Sequence, residues 1–356
     1  MFLPVDAKAP TIRPERSAIT QNDWDVLASF WHPVARVSEV ADAPVKAMLL
    51  DVELVLFRSE NQITAALDMC PHRWVRLSAG KLRDGNIVCA FHGLSFDGAG
   101  QCIGIPALGR SAKLPANYRL RTFRTAVRYG MVWVCLSDTS TATIPSYPSV
   151  AGADDSAIAF AAVWQWPMSA ARQIENFFDL AHLPFVHATT LGGDPFARLT
   201  PPSIEQREDS LIFRASYVET VPVERPTEFE FTYQVFLPFA IDFQTKAEGT
   251  TRLQSVNIAS PATAYTCKVF QLYARGGAGE ISQDFTTPPA DPSGPGVINQ
   301  QDIDMLKELV IPDLPLSSRL EIHLPVDNVS GAYRQRLQEL GLGRARNANG
   351  SPPSLS

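Results

Sequence analysis

The chain has 356 residues, of which 45% are hydrophobic and 19% are charged, and its net charge at pH 7 is −6. The length allows two or three domains, the acidic balance argues against a nucleic-acid partner, and no apolar run is long enough to span a membrane. The first residues lack the apolar segment of a signal peptide and five cysteines do not indicate a disulfide framework, so we expect a cytoplasmic protein whose cysteines are free or bind metal.

Short runs of apolar and β-branched residues, separated by turn residues, predict strands in the first third of the chain. The clearest runs are AMLLDVELVLFRS, ITAALDMC and RYGMVWVCLSD. We expect residues 1–30 to form an N-terminal segment and residues 31–145 to form a small antiparallel β domain. The stretch TSTATIPSYPSVAGADDS, rich in Pro, Ser and Thr, is the predicted linker to the next domain.

Residues 146–343 are predicted to form a second domain in which helices flank an antiparallel sheet, so the fold class is α+β. The spacing in MSAARQIENFFDLAH predicts a helix that ends before Pro184. Alternating strand patterns follow in residues 203–285, and later helices are predicted in INQQDIDMLKELV and in NVSGAYRQRLQELG, which should end at Gly341. Residues 344–356 have little apolar content and are expected to be a disordered tail.

Four potential metal ligands lie in two short stretches of the first domain. Cys70 and His72 belong to CPH, and Cys89 and His92 belong to CAFH. Two cysteines and two histidines suit a structural zinc site, but they also suit a Rieske [2Fe–2S] cluster, in which two thiolates hold one iron and two imidazoles hold the other. Zinc fingers pair Cys with Cys and His with His, whereas each stretch here has one of each. The arrangement therefore favours a two-iron cluster held between two loops.

A second group of candidate ligands lies in ENFFDLAHLPFVH, at His182 and His187. Asn176 and Asp179 precede His182 by two turns and by one turn of the predicted helix, which places these side chains on one face. Polar residues on an apolar helix are costly in a core unless something satisfies them. Non-haem Fe(II) oxygenases bind iron through two histidines and one carboxylate. We favour this interpretation over buried histidines with ordinary hydrogen bonds.

The carboxylate ligand is predicted to be Asp302. Asp179 is an alternative, but it lies only one turn from His182 and would crowd the same face. The helix INQQDIDMLKELV has an apolar stripe that consists of Ile298, Met305, Leu306 and Leu309. Asp302 is the one carboxylate on this stripe, whereas Asp304 lies on the solvated side. A carboxylate that faces inward is rarely left unpaired, so Asp302 is the better candidate.

Both groups resemble the metal-binding motifs of the Rieske non-haem iron oxygenases. CPHRWVRLSAG and CAFHG resemble the Rieske signature, and the later residues resemble the pattern Asn-x-x-Asp-x-x-His-x4-His followed by an Asp near the C-terminal end. The resemblance extends over about residues 25–343. The family often has Gly where this chain has Trp74, and Trp where this chain has Leu94. These departures affect the packing of the cluster loops, while all four ligands are intact.

The resemblance implies specific roles for these residues. The proposed ligands of the [2Fe–2S] cluster are Cys70, His72, Cys89 and His92, and those of the mononuclear Fe(II) are His182, His187 and Asp302. Asp179, with Asn176 one turn before it, belongs to the catalytic set. In the family, the residue equivalent to Asp179 bridges a cluster histidine of one subunit to an iron histidine of the next, which implies a head-to-tail homotrimer.

The activity implied by the resemblance is that of a terminal oxygenase that uses O2. No dinucleotide-binding motif is evident, so electrons should come from a ferredoxin, a flavin reductase or both, with NAD(P)H used only indirectly. The chain is most similar to the shorter oxygenases that remove methyl groups from oxygen or nitrogen of small aromatic or heterocyclic compounds. Alternatives are ring hydroxylation, including cis-dihydroxylation, and a Rieske electron-transfer protein without oxygenase activity. Strands such as FEFTYQVFLPFAIDF should line the pocket.

The remaining histidines and cysteines are interpreted as structural. We expect His32 and His323 to lie in strands or loops with ordinary hydrogen-bond partners. Cys102, Cys135 and Cys267 are predicted to be small buried residues.

Overall fold

The computed structural model describes residues 13–60, 62–153, 158–221, 223–274, 296–317 and 319–343. The chain divides into two compact units, one ending at Ile144 and the other beginning at Pro145. Antiparallel sheets and flanking helices make the fold α+β, which confirms the predicted fold class. The predicted tail at residues 344–356 lies outside the described residues. In the described ranges no helix is both long and apolar enough to cross a membrane.

Two antiparallel sheets form the first unit. Its strands are β1 (His32–Arg36), β2 (Val45–Leu49), β3 (Val52–Ser59), β4 (Gln62–Leu67), β5 (Lys81–Arg83), β6 (Asn86–Val88), β7 (Ser95–Phe96), β8 (Cys102–Gly104), β9 (Thr122–Arg128) and β10 (Met131–Cys135). The larger sheet has the order β1-β10-β9-β4-β3-β2, and the smaller has the order β5-β6-β7-β8. The β5–β6 hairpin turns at Asp84 and Gly85, whose φ angles of 51° and 71° suit a two-residue hairpin loop.

A hydrophobic core lies between the smaller sheet and strands β3 and β4. Fully buried side chains such as Phe57, Leu77 and Phe96 pack in this core, together with the thiol-bearing Cys70 and Cys89. Strands β6 and β7 are short because their connecting loop, residues 89–94, folds back on itself instead of continuing the ladder. The core therefore supports the loop that carries the second pair of candidate ligands.

One seven-stranded antiparallel sheet dominates the second unit. Its strands are β11 (Ile158–Trp166), β12 (Ile204–Gln206), β13 (Ser210–Glu219), β14 (Thr227–Phe236), β15 (Ala240–Ala247), β16 (Thr250–Pro261) and β17 (Cys267–Ala274). The strand order is β11-β17-β16-β15-β14-β13-β12. Phe213, Tyr233 and Phe243 are cross-strand neighbours on one face of this sheet. The rings of Phe213 and Tyr233 stack at 4.7 Å, which gives this face an aromatic surface.

Five helices are described. They are α1 (Gln21–Ala28) in the first unit and α2 (Ala170–Phe178), α3 (Leu183–Val186), α4 (Val297–Leu306) and α5 (Asn328–Glu339) in the second. The Ser169 hydroxyl caps α2 by accepting a hydrogen bond from the Arg172 N–H at 3.2 Å. Helix α5 ends as predicted: Gly341 has a φ of 102° and donates its N–H to the Gln338 carbonyl at 2.9 Å.

A buried ion pair joins α2 to α5. The Arg334 guanidinium donates to both carboxylate oxygens of Glu175, at 2.8 and 3.0 Å. It also contacts Glu321 at 2.6 Å. On the opposite side of α2, the Asn257 amide donates to Gln173 at 3.0 Å and ties the helix to β16. These buried contacts fix α2 against the sheet, and the second group of candidate ligands begins where α2 ends.

Two expectations for these helices are wrong in detail. Helix α2 ends at Phe178, and Asp179 has an extended backbone with a ψ of 126°, so Asn176, Asp179 and His182 do not share a helix face. The reason is local: the Asp179 carboxylate accepts the Ala181 N–H at 2.9 Å, and this side-chain turn competes with the helix. On α4, Met305 of the expected apolar stripe is 56% exposed. Asp302 is the one residue of α4 that is buried.

Candidate metal centres

The first group of predicted ligands converges in the first unit. Cys70 and His72 lie in the loop after β4, and Cys89 and His92 lie in the β6–β7 loop. The two thiols are buried, and Cys89 lies close enough to raise the pKa of Cys70. The rings of His72 and His92 are exposed, with their centroids 4.6 Å apart and their planes at 69°. The structure thus brings two thiols and two imidazoles together, with the thiols on the inner side.

The environment of the thiols suits metal ligation. Burial raises the pKa of Cys70 to about 11; hydrogen bonds from the backbone oppose this rise, while the neighbouring Cys89 adds to it. A bound metal would overcome the effect of burial, because the thiolate is the form of cysteine that ligates metal. The donor set and its burial fit a [2Fe–2S] cluster held by two thiolates and two imidazoles.

The two cluster loops have the same backbone hydrogen bonds. In the first loop the Cys70 N–H donates to the Val75 carbonyl at 2.8 Å, and the Trp74 N–H donates to the Cys70 carbonyl at 2.9 Å. In the second loop the Cys89 N–H donates to Leu94 at 2.9 Å, and the Gly93 N–H donates to Cys89 at 3.0 Å. The repeat was not predicted from the sequence, because position four after the cysteine is Trp74 in one loop and Gly93 in the other.

The two positions at which the sequence departs from the family pattern have different environments. Trp74 is 74% exposed, whereas Leu94 is 7% exposed and packs in the core beneath the cluster loops. Phe91 stacks on His92 with a centroid distance of 3.9 Å and is itself 60% exposed. Leu94 therefore serves packing, while Phe91 places aromatic surface beside the exposed His92 imidazole and Trp74 is an exposed aromatic residue of the other cluster loop.

The second group of predicted ligands converges in the second unit. One ligand atom from each of His182, His187 and Asp302 lies within 4.8 Å of the others. Asp302 Oδ1 is 3.4 Å from Nε2 of His182 and 3.2 Å from Nε2 of His187. This oxygen is buried and has no hydrogen-bond partner that meets geometric criteria. A buried carboxylate oxygen aimed at two imidazole nitrogens, and bonded to neither, fits a metal held by all three residues.

Each imidazole is also held at its other nitrogen. Nδ1 of His182 is 3.2 Å from Oδ2 of Asp179, and Nδ1 of His187 is 2.9 Å from Oε1 of Gln301. Ligating histidines usually donate their second N–H to such an acceptor, which leaves Nε2 free for the metal. Asp179 thus lies behind a candidate ligand, and Asn176 lies half-buried on α2 with its carbonyl accepting the Asp179 N–H.

The pKa values of this group reflect its charges. Burial lowers the pKa of His182, but hydrogen bonds and charge from Asp179 and Asp302 outweigh burial and raise it to about 9. For Asp302 burial raises the pKa, and the two histidines outweigh it and hold the value below its usual range. The group therefore attracts positive charge, either as a proton or as a metal ion.

Gln301 was not predicted from the sequence, whereas the strands that carry the aromatic residues behind Asp179 were predicted to line the pocket. Gln301 precedes Asp302, and its contact with His187 joins residues that are 114 positions apart, so no local pattern could have indicated it. Tyr233 is buried and lies close enough for the Asp179 charge to raise its pKa, in addition to the larger effect of burial. Phe243 contacts Tyr233 and Phe177 with centroid distances of 4.8 and 5.5 Å.

Most of the residues interpreted as structural have the expected environments. His32 is 3% exposed and its Nε2 lies 2.9 Å from the Leu27 carbonyl. The three remaining cysteines, at positions 102, 135 and 267, are buried and free. His323, by contrast, has a buried Nε2 without a hydrogen-bond partner among the described residues.

Two family models match the chain. The model of the Rieske [2Fe–2S] domain matches residues 30–124. The model of the vanillate O-demethylase oxygenase C-terminal domain matches residues 166–342. The first range contains the four candidate cluster ligands, and the second contains the three candidate iron ligands.

Two demethylases and one solved structure are similar to this protein over most of its length. The methylxanthine N1-demethylase NdmA of Pseudomonas putida is 29% identical over 91% of this chain and 92% of its own. The methylxanthine N3-demethylase NdmB of the same species is 32% identical over 71% and 75%. The structure of P. putida CBB5 NdmA with caffeine has a TM-score of 0.74 at 25% identity and covers 90% of this chain and 92% of its own.

Proposed function

The chain belongs to the Rieske non-haem iron oxygenases of the vanillate O-demethylase type, and from this we propose that it is the terminal oxygenase component of an O- or N-demethylating system. It is an oxidoreductase, and the relatives that cover most of its length, the demethylases NdmA and NdmB, support demethylation over ring dihydroxylation or electron transfer alone. The observation that carries the proposal is the convergence of His182, His187 and Asp302 in a chain that also has a Rieske domain. An electron carrier has no need of this second centre.

We assign the two metal sites and their domains as follows. Residues 31–145 form the Rieske domain, in which Cys70, His72, Cys89 and His92 bind the [2Fe–2S] cluster. Residues 146–343 form the catalytic domain, in which His182, His187 and Asp302 bind Fe(II). When bound, the cluster would supply electrons, and Fe(II) would activate O2 for oxidation of the substrate.

The protein side chains contribute positioning and charge. Asp179 accepts a hydrogen bond from Nδ1 of His182, so it fixes the ring and its tautomer. Since His182 is within contact of two carboxylates, the site favours a cation over a neutral ligand. Burial of His187 at 1% exposure keeps water from one side of the site. We propose that Asp179 also carries the link to a cluster histidine of a neighbouring subunit, with Asn176 holding the chain before it.

The substrate class is a small methylated aromatic or heterocyclic compound. Support comes from the aromatic face of the sheet next to Asp179, formed by Phe231, Tyr233 and Phe243, and from Phe177 on α2. Flat rings stack favourably on such surfaces. The relatives that cover most of this chain act on methylxanthines, which are N-methylated heterocycles. N-demethylation is therefore the reaction that we would test first.

The electron donor is a ferredoxin, a flavin reductase or both. The reductase would oxidise NAD(P)H, and its electrons would reach this protein's cluster. The charge distribution supports a protein donor with an acidic surface. Residues 70–120 contain seven Lys and Arg residues against two Asp and no Glu, although the whole chain has a net charge of −6. All seven basic residues are exposed. A basic surface around the cluster loops would attract an acidic partner and accelerate its association.

A homotrimer in the cytoplasm completes the proposal. The exposed Trp74 and Phe91 beside the cluster histidines support a subunit contact there, because exposed apolar groups often mark interfaces. In the second unit Val310, Ile311 and Ile322 are 96%, 64% and 92% exposed and are further apolar side chains that a subunit contact could cover. The five free cysteines agree with a reducing compartment.

The test combines metal content with product formation. The purified protein should be brown, contain about three irons per chain and show the EPR signal of a histidine-ligated cluster when reduced. With a compatible reductase, N-methyl heterocycles and O-methyl aromatics should be screened for formaldehyde release and O2 consumption. Each methyl group lost consumes one O2, two electrons and two protons and yields one formaldehyde and one water. A colourless zinc protein, or O2 uptake without formaldehyde from any methylated substrate, would contradict the proposal.

A further inference from the structure

We propose that Gln301 is a positioning residue for the iron site, which holds the His187 imidazole with Nε2 directed toward the metal. The inference rests on the proposed iron site of His182, His187 and Asp302. Gln301 is not itself a ligand in this arrangement, because its side chain contacts the far side of the imidazole.

Two consecutive residues of α4 contact the two nitrogens of one ring. Oε1 of Gln301 lies 2.9 Å from Nδ1 of His187, and Oδ1 of Asp302 lies 3.2 Å from Nε2. Because an amide oxygen only accepts, Nδ1 must carry the proton, and the lone pair of Nε2 is left for a metal. His187 is 1% exposed, so water is poorly placed to replace Gln301 as the acceptor.

The Gln301 amide is held by two threonines that follow His187. The Thr190 hydroxyl donates to Oε1 at 2.8 Å, and Nε2 of Gln301 donates to the Thr189 hydroxyl at 3.0 Å. Both ends of the amide are therefore bonded, which fixes its oxygen toward the imidazole. Since the Thr190 N–H also donates to the His187 carbonyl at 3.0 Å, the ring and the residues that orient it belong to one turn.

The two histidines have different partners. His182 is backed by the carboxylate of Asp179 at 3.2 Å, whereas His187 is backed by a neutral amide. The site already contains the carboxylates of Asp179 and Asp302, so an amide orients His187 without adding a third negative charge. What matters at position 301 is thus the hydrogen-bond acceptor, and a side chain that keeps the acceptor should keep the function.

The experiment measures Fe(II) affinity in the full-length protein with its cluster intact. Wild type, Gln301→Leu, Gln301→Glu and Gln300→Leu are dialysed anaerobically against fixed concentrations of free Fe(II), and the iron beyond that of the cluster is measured. Loss of a hydrogen-bond partner behind a ligating histidine typically weakens metal binding about 10- to 100-fold, so we expect this loss for Gln301→Leu. Gln301→Glu keeps the acceptor and adds a negative charge, so it should bind Fe(II) at least about as tightly as wild type.

Gln300→Leu is the matched control, because Gln300 is the preceding residue and its side-chain amide donates to the exposed Asp304, at 3.0 Å. It should bind Fe(II) like wild type. Unchanged affinity in Gln301→Leu, or an equal loss in Gln301→Leu and Gln301→Glu, would overturn the positioning role. If Gln301→Leu does not fold, Thr190→Val is the second variant, because it removes the hydroxyl that donates to Oε1 of Gln301. This variant should bind Fe(II) several-fold more weakly than wild type. Wild-type affinity in Thr190→Val would also overturn the positioning role. If wild type binds no iron beyond the cluster, or Asp302→Ala still binds it, the proposed iron site itself has failed.

Discussion

Trp74 occupies in the first cluster loop the backbone position that Gly93 occupies in the second. Both residues have left-handed backbones, with φ angles of 60° and 71°, and both donate their N–H to the carbonyl of the cysteine four residues earlier. Glycine adopts this conformation without strain, whereas a residue with a Cβ does so at a cost of about 1 kcal/mol. The tryptophan is therefore held in a conformation that its own side chain opposes.

Trp74→Gly should be more stable than Trp74→Ala, by about 1 kcal/mol, because alanine keeps the Cβ in the left-handed region and glycine removes it. Little packing is lost in either variant, since Trp74 is 74% exposed. The thermal loss of the visible cluster absorbance gives the comparison. In the second loop, Gly93→Ala should be destabilising, because its Cβ would lie 3.0 Å from Pro106 Cγ at a φ of 71°. Equal stability of the alanine and glycine variants at position 74 would contradict the strain.

Asp302→Ala should lose the mononuclear iron and keep the visible spectrum of the cluster. Its Oδ1 is the buried oxygen that faces both imidazoles, so alanine removes one of three ligand atoms. Asp304→Ala is the matched control two residues later, since that carboxylate is exposed and bonds Lys307 at 3.0 Å. Iron analysis with absorbance at the cluster bands distinguishes the two variants. Loss of iron in Asp304→Ala with retention in Asp302→Ala would reverse the assignment.

Asp179→Asn should slow electron transfer to the iron by at least about 10-fold while both metals remain bound at saturating Fe(II). The carboxylate accepts from both the Ala181 N–H and Nδ1 of His182. The amide can keep the first contact, but its NH2 group would then face another N–H donor. Stopped-flow reoxidation of the reduced cluster by O2, with substrate present, measures the effect. Reoxidation at the wild-type rate would rule out a bridging role.

Glu219 should make the folded state more stable at pH 5 than at pH 8. Burial raises its pKa from 4.5 to about 7. Between these two pH values the folded protein keeps the proton on Glu219 and the unfolded chain releases it. The stabilisation that Glu219 contributes to the folded state is therefore fully present below pH 4.5 and is lost as the pH rises through 7. The expected difference in the free energy of unfolding between pH 5 and pH 8 is about 2.5 kcal/mol. The free energy of unfolding of wild type and Glu219→Gln, measured with denaturant at several pH values, should depend less on pH in the variant. The same pH dependence in both proteins would exclude Glu219 as its source.

Local sequence predicted most of the candidate ligands because they lie at short intervals within single loops. The two mixed Cys and His stretches at 70–72 and 89–92 favour a two-iron cluster over zinc by their spacing. Asp302 was predicted from its place among apolar residues, and it is the buried residue of α4. The argument for it was partly wrong, however, because Met305 of the same stripe is exposed. A hydrophobic stripe indicates which side chains of a helix can be buried, but which of them are buried depends on the elements that pack against the helix.

What the sequence by itself determined is the set of ligand types, the two-unit order and the positions of the main strands, all of which follow from local spacing and periodicity. The tertiary structure alone decided which groups lie behind those ligands. The contact between His187 and Gln301 spans 114 residues and depends on how α4 packs beside the turn at 187–190. The end of α2 at Phe178 likewise depends on a competition between the helix and the Asp179 side chain. Such contacts depend on distances between segments that are remote in sequence, and no local pattern encodes those distances.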